Sequence, residues 1–249
     1  MDSDLMVIVP HPDDEVFGVG GLLAKLADAG RRTATLHLTR GRSGRSLGLA
    51  RPDELGALRE AELRAALATL GVSDVTIWDE HDFVPDADRG IALHAGLAAI
   101  PTTELAERVA AEIDRVAPRA IVSFGPSGSN GHPDHVATYR VVAAALDLLG
   151  AERDVRLYAY AAESPFSGVA RSGFLGADEI RSLHLSPTHV VEVDAWIETK
   201  LAAMACHRSQ ALSVLEFMRR FPRRLRFESF HRLRPVAETG FGPRTVGFL

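Results

Sequence analysis

Five consecutive apolar positions, Leu5 to Val9, end at Pro10. An unbroken run of that length, without polar alternation, predicts a strand buried on both faces. Val16 to Ala29 then predicts a helix closed by Gly30, so a strand feeds directly into a helix. The pairing repeats: Thr33 to Thr39 predicts a strand, Pro52 to Leu70 a helix with proline in its first turn and Gly71 beyond its end, and Val75 to Trp78 a third strand. A helix from about Thr103 to Val116, a strand at Ala120 to Phe124 and a helix from about Pro133 to Leu149, closed by Gly150, continue the alternation. Alternating strands and helices imply a largely parallel sheet with helices on both faces, whose active-site loops lie at the carboxyl ends of the strands.

Beyond Gly150 the pattern loosens. A strand near Val155 to Ala159 precedes a glycine- and serine-rich segment from Ser164 to Gly176, followed by a strand at His189 to Val193 and a helix from Asp194 onward. No repeat or linker divides the chain. A single domain over residues 1–249 is expected, with a core of about 5–160 and a smaller C-terminal α/β elaboration of about 161–249.

At 249 residues and 46% hydrophobic content the chain can bury a sizeable core. Its net charge of −5 argues against a general nucleic-acid binder and points to small-molecule partners. Cys206 is the single cysteine, which excludes an internal disulfide and a Cys-rich zinc site and fits a reducing cytosol. The apolar run near the start is too short for a signal-peptide core, and no stretch approaches the roughly 20 apolar residues of a membrane-spanning helix. The expectation is a soluble, cytoplasmic protein.

Two acid-histidine clusters fall at strand-to-helix turns. His11-Pro12-Asp13-Asp14-Glu15 follows the first strand, and Gly131-His132-Pro133-Asp134-His135 precedes the helix after Ala120 to Phe124. A tight turn stiffened by Pro12 can point His11 and Asp14 at one ion, since imidazole nitrogen and carboxylate oxygen are ordinary zinc ligands at about 2.0–2.2 Å. Asp13 faces another direction and can take a proton from bound water. The plain alternative is that Asp13, Asp14 and Glu15 cap a helix and favour its dipole. In the second cluster one histidine can bind metal while the other stays outside the ligand set. Two such clusters on one sheet edge are hard to explain by capping alone. His37, His94, His184, His189 and His231 read as structural or surface residues. Gly18, Gly20 and Gly21 lie too far into the predicted helix for a dinucleotide-binding turn and read as packing glycines.

Pro10 to Glu15, Thr39-Arg40-Gly41 with Gly44, Arg59-Glu60-Ala61-Glu62-Leu63, Gly131 to His135 and His207-Arg208-Ser209-Gln210 together resemble the LmbE-like, or PIG-L, family of zinc-dependent N-acetylglucosaminyl deacetylases. The likeness covers at least residues 5 to 210. It implies a Rossmann-like α/β fold, with Zn2+, or another divalent ion such as Fe2+, held by His11, Asp14 and His135. It further implies Asp13 as general base, His132 facing the developing oxyanion and Asp134 supporting the second histidine pair. A metal ion and a protonated His132 would stabilise that charge, and His207, Ser209 and Gln210 read as structural or lining residues because nothing in their spacing forces a chemical role. The implied reaction removes an N-acyl group from a glucosamine-containing glycoside, such as a bacillithiol or mycothiol precursor. Relatives that form dimers or hexamers leave room for a homo-oligomer.

Two other readings stay open on sequence alone. One is a non-catalytic sugar- or nucleotide-binding module, which would be expected to have lost at least one of the five residues. The other is a metal-dependent phosphoesterase, a class that commonly uses two metal ions. Where many relatives carry a glutamate, this chain has Gly41-Arg42-Ser43-Gly44-Arg45, making Arg42 a candidate contact for an acidic aglycone, against the alternative of a solvated loop. Phe217 to Pro235 interleaves phenylalanine with arginine. Its composition resembles a single-strand nucleic-acid surface, but the acidic chain argues for phenylalanines packed inward, arginines wet or paired with Glu216 and Glu228, and a lid or subunit contact.

Overall fold

Alternation along β1 (Leu5–Val9) sorts the core into two halves in the computed structural model. Leu5, Val7 and Val9 pack to one side, with Leu23, Leu63, Leu67 and Met204; Met6 and Ile8 pack to the other, with Leu105, Val109, Ile113 and Val141. The structure describes residues 3–72, 74–86, 91–150, 152–168 and 171–235.

After β1 come α1 (Asp14–Gly18), α2 (Gly20–Asp28), β2 (Thr33–Thr39), α3 (Leu55–Thr69) and β3 (Asp74–Glu80). An antiparallel pair, β4 (Phe83–Asp86) and β5 (Ile91–Ala95), precedes α4 (Thr102–Val116), β6 (Ala120–Ser123), the one-turn α5 (Gly128–Gly131) and α6 (Pro133–Leu149). The chain continues through β7 (Arg156–Tyr160), α7 (Ala177–Ser182), β8 (His189–Glu192), α8 (Ile197–Cys206), α9 (Ala211–Arg220) and β9 (Phe227–Arg234). The sheet order is β3-β2-β1-β6-β7-β9-β8. The first five strands are parallel, whereas β9 runs antiparallel to both β7 and β8. Helices α2, α3 and α8 cover one face and α4 and α6 the other, giving the mostly parallel, two-faced α/β sheet expected from sequence.

From β1 the chain moves outward to β2, and from β6 it moves outward the opposite way to β7. The neighbours β1 and β6, in register Met6 to Ile121 and Val7 to Val122, therefore flank the point where the winding reverses, which is where α/β sheets bind ligands. Both acid-histidine clusters leave the sheet there.

Three local departures have identifiable causes. The predicted helix from Val16 to Ala29 is broken at Val19, whose φ of −146° is not helical. The buried Glu228 carboxylate of β9 accepts the N–H groups of Gly21 and Leu22, both at 2.8 Å, and so caps a second helix start. Strand β9 itself escaped prediction because Glu228 stands on its core-facing side beside Phe230, interrupting the apolar pattern. Pro85 concealed the β4–β5 pair, since proline argues against a strand. As packing glycines, Gly18 and Gly21 fit: an added Cβ would strike the Tyr160 ring at one and Val193 at the other. Beyond β9, residues 236–249 of the expected C-terminal elaboration lie outside the described residues. Among the described residues no helix is long and apolar enough to cross a membrane.

Candidate active site

The turn after β1 holds Asp13 at φ 109°, a left-handed backbone that costs a non-glycine residue about 1–3 kcal/mol. Asp13 occupies the cap position of α1, yet its side chain makes no cap hydrogen bond. Capping therefore does not explain it. The conformation is held from below and from the side: Asp13 N–H donates to Glu15 Oε2 at 3.0 Å, and the buried Arg59 guanidinium donates to the carbonyls of Pro12 and Gly41. The same guanidinium lies 3.4 Å from Asp13 Oδ1 and fixes where that carboxylate points.

His11, Asp14 and His135 converge, with one donor atom from each lying within 4.8 Å of the others. His135 Nδ1–H donates to Gly128 C=O at 3.0 Å, leaving its Nε2 lone pair 3.4 Å from Asp14 Oδ1. The ring is held flat against Phe124, centroids 3.8 Å apart. His11 donates through Nε2 to Asp134 Oδ2 at 3.1 Å, which turns its Nδ1 toward Asp14 Oδ2 at 3.3 Å. With both imidazoles neutral, two nitrogen lone pairs and a carboxylate, each imidazole oriented by a hydrogen bond behind it, form a donor set of the kind that holds a divalent ion.

Asp134 serves the first cluster as well as the second. Its fully buried carboxylate serves His11 of the first cluster and also accepts Phe83 N–H at 2.7 Å and Leu97 N–H at 2.8 Å. Its backbone supports the second cluster, where Asp134 N–H donates to His132 Nδ1 at 3.1 Å, and one oxygen of its carboxylate forms with a ring nitrogen each of His11 and His132 a second set of donor atoms within 4.8 Å of one another. When neutral, His132 therefore carries its proton on Nε2. Burial, with His135 and His11 alongside, holds it well below the usual histidine range.

Burial raises Asp13 to about 6 against the opposing pull of Arg59, with Asp14 adding to the rise. For Asp14, burial is outweighed by His135 and His11, which hold it well below the carboxylate range. Burial would lower His11 too, but its bonds to Asp134 and Asp14 prevail and raise it. Neighbouring acids in one turn are thus driven apart, one toward neutral pH and one deep into the acid range.

A second layer was missed from sequence. Glu15 is wholly buried and bridges His37 Nε2 at 3.2 Å and His207 Nε2 at 2.7 Å. Beside it, Glu62 accepts Ser209 N–H at 2.9 Å and Ser209 Oγ–H at 2.6 Å. His37 and His207 are structural, as expected, but they act as supports of the turn that carries Asp13 and Asp14. The overlooked signal was Glu15 directly after the two aspartates: a third acid that could not be a ligand still needed partners.

The site opens into a cleft of about 1,360 Å³. Asp82, Arg59, Ser43 and Arg45 line it on the β2–β3 side, Phe124 and Tyr160 on the β6–β7 side, and Phe217, Phe221 and Arg224 along its outer part. Arg42 is not among the lining residues; its guanidinium pairs with Asp79. In the C-terminal segment Phe217 and Phe230 do pack inward, and Arg220 pairs with Glu216 at 3.1 Å. Glu228, however, pairs with the buried Lys200 at 2.7 Å and not with an arginine.

The family model for GlcNAc-PI de-N-acetylase, PIG-L, matches residues 6–146, more than half of the chain. A 1D-myo-inositol 2-acetamido-2-deoxy-alpha-D-glucopyranoside deacetylase of Nocardioides sp. is 30% identical over 260 residues, covering 84% of this chain and 83% of that one. Among solved structures, N,N'-diacetylchitobiose deacetylase from Pyrococcus horikoshii superposes with a TM-score of 0.67 at 19% identity, over 93% of this chain and 84% of that one. A 4-carboxy-2-hydroxymuconate hydratase from Pseudomonas putida KT2440 superposes at 0.69 and 19%, over 97% and 100%. These two likenesses establish the fold, and a fold that carries both a deacetylase and a hydratase leaves the reaction to be argued from the site. On the family match and the full-length relative together, the chain belongs to the PIG-L family.

Proposed function

We propose that this protein is a zinc-dependent N-deacetylase of a glucosamine-containing small molecule, with His11, Asp14 and His135 as the metal ligands. The observation that carries the reading is the convergence of those three donors beside Asp13 at the sheet's reversal point. Lewis acidity toward water and an amide carbonyl is the chemistry a divalent ion supplies when bound there. Everything else falls to the chain. Asp13, raised to about 6 by burial and oriented by Arg59, takes the proton of the attacking water and later returns it to the leaving nitrogen. His132 donates through Nε2–H to the oxygen that gains negative charge. Water adds to the acyl carbon, the C–N bond breaks, and a carboxylic acid and a free amine leave.

The Nocardioides relative supports an N-acetylglucosaminyl-inositol or similar glycoside as the substrate class. Asp82 suits a sugar: Oδ2 accepts Ser43 N–H at 2.7 Å, whereas the buried Oδ1 has no partner among the described residues and can accept from a hydroxyl.

Metal analysis of the purified protein, followed by a free-amine assay on N-acetylglucosamine conjugates with and without chelator, tests the proposal. Zinc at about one ion per chain and chelator-sensitive amine release are expected. Metal-free protein that binds these sugars but releases no amine would favour a binding module.

A further inference from the structure

Tyr160 ends β7 and lines the cleft, but its hydroxyl oxygen is buried with no hydrogen-bond partner among the described residues. A buried polar atom left unpaired costs about 1–3 kcal/mol, which pairing with a ligand group would recover. The ring is deliberately seated. An added Cβ at Gly18 would strike Cζ and Cε1, the hydroxyl-bearing edge, so only glycine leaves room for it. Gly18 lies one helical turn beyond Asp14 on α1, which sets the phenol end alongside that residue's face of the helix. Edge-on contact with Phe124 at 5.1 Å ties the ring to the residue stacked on His135.

The sheet order also separates two kinds of contact. Asp82 follows β3 and Tyr160 ends β7, on opposite sides of the β1–β6 pair that carries the metal cluster. With sugar hydroxyls assigned to the Asp82 side, the acceptor left for Tyr160 is the amide being cut.

We infer that Tyr160 is a further catalytic residue, donating its hydroxyl hydrogen bond to the acyl oxygen as negative charge develops there, opposite His132. The inference rests on the deacetylase reading. The group is a hydrogen-bond donor and not a proton source: burial, and then Asp14, Glu15 and Glu228, hold its hydroxyl well above the usual phenol range.

Tyr160→Phe removes only an oxygen with no hydrogen-bond partner among the described residues. A merely structural role predicts unchanged turnover. The catalytic role predicts kcat reduced roughly 100-fold, as for loss of one oxyanion donor, with KM changed less than about threefold, zinc content unchanged, and thermal stability equal or higher. Affinity for a methylphosphonamidate of glucosamine, which carries the tetrahedral charge, should fall by a similar factor. Gly18→Ala, which has no chemistry of its own, should reproduce the kcat loss by displacing the ring. A Tyr160→Phe enzyme with wild-type kcat, or with only KM raised, overturns the role of Tyr160 and leaves the deacetylase reading intact. A zinc-loaded wild type that releases no amine from any N-acetylglucosamine conjugate overturns both.

Discussion

Glu15 Oε1 and His207 Nε2 stand 2.7 Å apart, both wholly buried, joining the first helix to the far end of α8 beneath the turn that carries Asp13 and Asp14. Burial alone would raise Glu15, but His207 and then His37 bring it from 4.5 down to about 2. That fall corresponds to roughly 3 kcal/mol of stability. A carboxylate lowered in the folded state contributes fully above its unfolded pKa and loses the contribution as pH falls toward 2. His207 is raised despite its burial, chiefly by Glu15, so its share is full below 6.5 and is lost as pH climbs through the raised folded value. These are two ends of one interaction and are not summed. In chelator-treated protein, the melting-temperature gap between wild type and Glu15→Gln should be widest near about pH 5–6 and shrink on either side. A gap that does not vary with pH would contradict the pairing.

Asp13→Asn should keep zinc and lose at least about 100-fold in kcat, within the range for loss of a general base. The backbone bond to Glu15 does not involve the substituted group, so the turn should survive. Because the base works deprotonated, wild-type kcat/KM should fall as pH drops through a value at or below about 6, bound cation favouring the carboxylate further. The acid limb should be absent in the variant. Equal turnover in the two proteins would remove Asp13 from the reaction.

Apart from the break between α1 and α2, the β4–β5 pair and the one-turn α5, the order of elements from β1 to α6 was legible because most of the parallel strands carry apolar runs, and amphipathic helices between them end at glycines such as Gly71 and Gly150. The candidate residues were legible because ligand chemistry is written in residue type: histidine and aspartate at strand ends. What sequence does not carry is which distant group completes each one. Asp134 serves His11, 123 positions away, and Glu228 caps α2 across 207 positions, breaking a helix that local pattern draws as continuous. Arg42, which sequence leaves between an aglycone contact and a solvated loop, finds its partner in Asp79 on the adjacent strand.

Asp134→Ala removes the acceptor that orients His11 while leaving all three proposed ligands in place. Such supporting contacts are worth about 10–100-fold in metal affinity. Competition against a chromophoric chelator should show that loss for Asp134→Ala and none for Asp13→Asn. Weakened Phe83 and Leu97 contacts should also lower its thermal stability. Wild-type zinc affinity in Asp134→Ala would mean that His11 needs no such orientation.

Lys200 and Glu228 form a buried pair whose removal tests how the last strand supports the first helices. Lys200 Nζ donates to Glu228 Oε1 at 2.7 Å and to the Arg224 carbonyl at 2.8 Å, and the carboxylate also holds the start of α2. Glu228→Gln leaves an ammonium without its counter-charge in a site closed to solvent and should cost about 3–5 kcal/mol in urea unfolding. Lys200→Met alone should be nearly as damaging, since it strands the carboxylate, although the two α2 N–H groups still partly satisfy it. The double variant Glu228→Gln with Lys200→Met removes both charges while glutamine still offers an oxygen to α2. It should therefore recover much of the loss, giving a coupling of roughly 1–3 kcal/mol between neighbours in one network. Additive losses would mean that the two charges act independently, and that the α2 start owes its position to packing against Val193 and not to the carboxylate.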